Sequence, residues 1–135
     1  MKKLSWILSL IACVALAFSL TGCKSIGTVT TDGDAVIIEV SSSYDESATL
    51  LDYMQKLEDE GELDFTIKNG MVTEIGGKEN TLNSFWMLYT SDTEHANNAW
   101  GEYEHDGQVF GSATLGASEL NVKPGCVYVW VYTTF

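Results

Sequence analysis

The stretch "LDFTIKNGMVTEI", residues 63–75, decides the fold class. Leu63, Phe65 and Ile67 alternate with Asp64, Thr66 and Lys68, the period-two pattern of a strand with one face buried. Asn69-Gly70 follows, a pair suited to a type I′ turn because both central positions need positive φ. "MVTEI" then returns, so the segment predicts an antiparallel hairpin. The chain just before it supplies a cover for the apolar face. In "SATLLDYMQKLEDEG", residues 47–61, Leu50, Met54 and Leu57 recur at i, i+4 and i+7, and Leu51 widens the stripe. Thr49 caps this helix with Asp52 three residues on, and Gly61 ends it.

Outward from this centre the strand signals come in quick succession. "AVIIEV", residues 35–40, is short and β-branched. After a loop predicted over Gly76-Gly77 and "KENTLN" comes "FWMLYT", residues 85–90. A polar stretch, "SDTEHANNA", precedes "WGEYEHDGQVFG", in which Asp106-Gly107 predicts a second tight turn. Pro124-Gly125 turns the chain into "CVYVWVYTTF". One helix among about six strands predicts an α+β domain of small antiparallel β-sheets with one packed α-helix.

The N-terminal end carries a different message. Lys2 and Lys3 precede an uncharged run from Leu4 to Gly22, the order of a secretory signal. The run is diluted by Ser5, Ser9, Ser19 and Thr21 and lacks a basic cluster behind it, which favours a cleaved signal over a membrane span. Leu20-Thr21-Gly22-Cys23 resembles the lipobox of bacterial lipoproteins. That resemblance implies a signal peptide over 1–22, a lipid-bearing Cys23 as the first mature residue, and a location on the extracytoplasmic face of the cell membrane. Two acyl chains hold stably where one holds only marginally. The small polar segment over 23–33 then predicts a tether, and 34–135 the domain.

Charge narrows the partners. The chain has 19 acidic residues against seven lysines and a net charge of −12, with no arginine. Such a balance repels phosphate backbones and excludes nucleic acid as a partner, while tolerating cations. With Cys13 in the signal and Cys23 lipidated, Cys126 is left alone, so no disulfide forms within the mature chain. Its apolar surroundings predict a small buried hydrophobe.

The helix "TLLDYMQKL", the hairpin ending "GMVTEIGG", the strand "FWMLYT" with Trp86, and the closing "VKPGCVYVWVY" together resemble the transcobalamin-like C-terminal domain found in bacterial surface lipoproteins. The resemblance covers most of residues 48–132. It implies small antiparallel sheets with one packed helix and a cobalamin-like ligand. The chain departs from that family's pattern at Ser91-Asp92 and at Gly125-Cys126, and it has no room for the helical barrel that accompanies this domain in cobalamin carriers.

Two constellations are candidates for binding. Aromatic side chains beside polar loops make contact surfaces for ligands and proteins. Trp86, Tyr89, Trp100, Tyr103, Tyr128 and Trp130 are the candidate ligand-binding residues, with Trp86 and Trp100 expected to be partly exposed. Tyr128, Trp130 and Tyr132 share one face of the last strand, either as a stacking platform or as core. For a divalent metal the candidates are Glu94, His95, Glu104 and His105, although no short His-x-His or Cys-x-x-Cys spacing supports them. No G-x-S-x-G, phosphate-cradling glycine loop or H-E-x-x-H occurs, and the reading is not an enzyme. The sequence thus predicts a lipid-anchored extracytoplasmic small-ligand-binding module that hands its ligand, such as a corrinoid or similar planar molecule, to a membrane transporter. The alternatives are a surface protein–protein or polymer interaction module and a divalent-metal-binding protein.

Overall fold

The computed structural model describes residues 25–135. Along the chain run strands β1 (Gly27–Asp32) and β2 (Ala35–Val40), helix α1 (Leu50–Asp59), and strands β3 (Phe65–Lys68), β4 (Met71–Ile75), β5 (Lys78–Glu79), β6 (Ser84–Thr90), β7 (Ala96–His105), β8 (Gln108–Ala113) and β9 (Val127–Thr134). At this level the sequence prediction holds: the described residues are mostly β-sheet with one short helix. The signal segment and Cys23 lie outside the described residues. No helix among the described residues is long and apolar enough to cross a membrane.

Both dipeptide turns close as their chemistry requires. Asn69 (φ 54) and Gly70 (φ 77) join β3 to β4, and Asp106 (φ 50) and Gly107 (φ 79) join β7 to β8. Positive φ at both central positions matches the turn to the twist of the flanking strands. Helix α1 starts where Thr49 Oγ1 accepts the Asp52 N–H at 3.2 Å. It ends where the Gly61 N–H reaches Glu58 O and the Glu62 N–H reaches Leu57 O, a Schellman closure.

The strands form a six-stranded sheet in the order β1-β2-β9-β6-β8-β7 and a three-stranded sheet β3-β4-β5. Every pairing is antiparallel. Strand β9 lies near the middle and is covered on both faces, which is why "VYVWVY" is apolar at every position. On one face Tyr128 and Trp130 join Ile38, Trp86 and Leu88 beneath Leu50, Tyr53, Met54 and Leu57 of α1 and Phe65, Val72 and Ile75 of the small sheet. Full burial of each large apolar side chain here contributes about 1.5–3 kcal/mol. On the other face Val129 meets Ala35, Ile37 and Phe110, with Tyr89 and Tyr103 packed at the margin. The second core exists because the sheet curls. Strands β1 and β7 are its opposite edges, yet His105 Nδ1 lies 3.3 Å from Asp32 Oδ2.

Several expectations require correction. Most of the segment expected to be a tether is strand β1: Gly27–Asp32 pairs with β2 along its whole length. Tyr53 fixes its start by donating its hydroxyl to Ile26 O at 2.7 Å. The expected loop "KENTLN" begins with strand β5, and the polar stretch "SDTEHANNA" enters β7 at Ala96. Cys126 is only half-buried, although it packs against the main core.

Candidate functional site

Trp86 lines two clefts of the molecule. Strand alternation turns it with Leu88 toward the main core, and its indole N–H donates to Lys78 O at 2.8 Å. Its backbone N–H donates to Asn80 Oδ1 at 3.0 Å, and Tyr132, whose ring centroid is 5.1 Å away, donates its hydroxyl to Glu79 O at 2.6 Å. These bonds clamp β5, and with it the small sheet, onto the large one. Trp86 is thus a buried wall, 8 % exposed, with its one donor already used.

A cleft opens on each side of that wall. The first, of about 290 Å³, lies where β6 and β8 part. Strand β6 pairs with β9 from Ser84 to Thr90 but with β8 only at Tyr89 and Thr90. Past that point the strands splay, and the gap is lined by Trp86, Leu88 and Trp130 inside, by Met71 and Val72 of β4 on one side, and by the segment Ser112–Ala117 on the other. None of its lining residues carries a charge. Met71 stands at the mouth as an exposed apolar side chain. The second cleft, of about 250 Å³, lies between the β1–β2 hairpin, the segment after α1 and the β4–β5 turn.

The remaining predicted aromatics do not gather there. Tyr128 is fully buried, its hydroxyl accepting the Lys123 backbone N–H at 2.9 Å, and desolvation pushes its ionisation up to about 12. It is core, because its alternation puts it under α1. Tyr89 and Tyr103 pack against each other at 5.9 Å on the opposite face. Trp100 lies on a bulge of β7, where Asn97 pairs with Ser112 and Glu102 with the next residue of β8, Gly111, leaving residues 98–101 to loop outward. It is 66 % exposed and lines neither cleft. Of the six candidates only Trp86 and Trp130 share a cavity wall.

The metal candidates divide in the same way. Glu94 and His95 meet at the corner between β6 and β7, together with Asp92, which sequence reasoning did not single out as a ligand. One ligand atom from each of the three lies within 4.8 Å of the others, a spacing that suits a divalent ion. His105 sits at the other end of β7, between Asp32 and Asp106, and Glu104 is on the solvent side of that strand, so neither joins the group. Lys123 already brings a cation to the corner: its Nζ is 3.0 Å from Asp92 Oδ1 and 2.6 Å from Glu94 Oε2. Asp92 is buried, with its Oδ1 also accepting the Glu94 N–H at 3.1 Å and its Oδ2 contacting His95 Nδ1 at 3.0 Å. Burial alone raises a carboxyl pKa. Here the bonds from His95, Lys123 and the Glu94 N–H outweigh it and hold Asp92 below its ordinary range. Hydrogen bonding to Lys123 lowers Glu94 likewise, and the two carboxylates raise Lys123 well above its ordinary value.

The local signal for this corner was Ser91-Asp92 following a strand, since an Asp there accepts N–H groups two residues on. Its cation lies 31 residues away in sequence and gave no local sign. Comparison with protein-family models, with curated proteins and with solved structures finds no match to this chain in any of the three.

Proposed function

We propose that this protein is a lipid-anchored extracytoplasmic binding module whose uncharged cleft between β6 and β8 takes a small flat apolar ligand and passes it to a membrane transporter. The observation that carries the reading is the concave wall of Trp86 and Trp130 in a gap with no charged lining. Ligand pockets are concave and mostly apolar, with volumes of roughly 300–1,000 Å³. At about 290 Å³ the gap lies at the lower limit of that range. A whole corrin ring system is larger than this, so a cobalamin-like ligand would engage the cleft by an edge or an apolar substituent.

The test is a titration of residues 25–135 with planar aromatics, haem, cobinamide and divalent ions, followed by tryptophan fluorescence. Saturable quenching by a planar aromatic supports the reading; silence across the panel overturns it. A second reading, docking on a surface protein or polymer, is favoured by Trp100. The bulge that presents it is braced, with Asn98 Nδ2 donating to Glu102 Oε2 at 2.7 Å and the Ala99 N–H to Asn97 Oδ1 at 3.0 Å. The anchor has its own test. Labelled palmitate should enter the wild-type chain and not Cys23→Ser, and equal retention of both at the membrane would remove the anchor from the account.

A further inference from the structure

We infer that the second cleft is a separate binding site for an organic cation with an apolar body. Its floor is apolar: Val29 of β1, Val36 of β2, Leu63, Ile75 of β4 and the second side of Trp86. Its rim is charged, which distinguishes it from the cleft beyond Trp86. Glu62 and Asp64 flank Leu63, and Lys78 completes the lining. The single lysine is already neutralised, because its Nζ lies 2.7 Å from Asp34 Oδ1 and rests against the Tyr132 ring at 5.8 Å. Glu62 and Asp64 have no ion-pair partner among the described residues. The rim therefore carries unbalanced negative charge above an apolar floor.

That combination selects a ligand class. A neutral apolar molecule gains nothing from the two carboxylates, and an anion is repelled by them. A hydrated metal ion gains nothing from Val36, Ile75 and Trp86. An ammonium joined to an apolar or aromatic body uses both features, with its charge at Glu62 and Asp64 and its body on the floor. At about 250 Å³ the cleft falls just below the roughly 300–1,000 Å³ of ligand pockets, which restricts it to a molecule of about one ring with its ammonium. The local backbone is well held: Gly76 donates its N–H to Asp64 O at 2.8 Å, and Glu62 donates its N–H to Leu57 O at 2.9 Å in the closure of α1.

The experiment measures the affinity of the full chain for benzyltrimethylammonium, benzyl alcohol and benzenesulfonate by isothermal titration at low and at high salt. The expected result is binding of the ammonium at least about tenfold tighter than the alcohol, no binding of the sulfonate, and loss of the preference at high salt. The isosteric double variant Glu62→Gln, Asp64→Asn should bind ammonium and alcohol alike with an unchanged melting temperature, since both side chains are exposed. Equal affinity of all three probes, no binding of any, or a preference that survives the double variant overturns the inference. If the double variant melts early, the salt arm decides. A Met71→Asp variant separates the two clefts: it alters the uncharged one and leaves the ammonium affinity unchanged.

Discussion

The Asp92 corner and the Trp86 clefts are built in opposite ways. At the corner a buried carboxylate receives a lysine, a histidine and a backbone N–H, so its charge is answered from within the chain. At Trp86 the single indole donor is spent on Lys78 O, and the residue lines a cleft on each side. A cluster of ionisable side chains is thus closed by its own counter-ion, whereas a wall with few functional groups is left open. Chemical richness and availability to a ligand are separate properties.

The contrast can be broken by substitution, and the largest effect belongs to the closed region. Asp92→Ala should cost about 3 kcal/mol in urea unfolding, because it strands the groups that converge on a buried acceptor. The same carboxylate sets an acid limb. Its folded pKa lies below its unfolded one, so its contribution is fully present above the ordinary carboxylate range and is lost as pH falls through the lowered folded value. Wild type should lose stability steeply at acid pH, and Asp92→Asn should flatten that limb. An unchanged slope would deny Asp92 its structural role. Next in size is Trp86→Phe, which keeps an aromatic wall but removes the bond to Lys78 O; the expected loss is about 1 kcal/mol, with faster amide exchange in β5. Lys123→Met sharpens the comparison differently by removing the resident cation. Divalent ions should raise the melting temperature of this variant and leave wild type unmoved, and an equal rise in both would mean that Lys123 does not occupy the metal position. Smallest is Trp100→Ser, expected to shift stability by under about 0.5 kcal/mol and to leave cleft binding intact.

How far the sequence could be read follows from the range of the interactions involved. The Asn69-Gly70 and Asp106-Gly107 turns, the Thr49 cap and the Gly61 closure are local, and each was legible from a few adjacent residues. Strand β1 was missed because an edge strand needs only one inward face: in "GTVTTD" Val29 alone packs against the main core, and the rest resembles a linker. The faces of β9 could be separated by alternation, but whether they were buried could not, because that depends on α1 covering one side and the curl of the sheet covering the other. The Trp86 wall and the Lys123 ion pairs rest on neighbours brought together by the fold. The residues themselves were visible and their partners were not. The metal group illustrates this, since Glu94 and His95 belong together while His105 and Glu104 belong elsewhere.

The central claim is that the uncharged gap between β6 and β8 is where a ligand binds. Four tryptophans occur in the chain, and Trp86, Trp100 and Trp130 fall within residues 25–135. Indole N–H resonances of that segment, followed by proton–nitrogen correlation during titration with a planar aromatic such as 2-naphthol, test it directly. The account predicts that the Trp86 and Trp130 signals move together and saturate while Trp100 stays in place; movement of Trp100 with Trp86 and Trp130 still would contradict it.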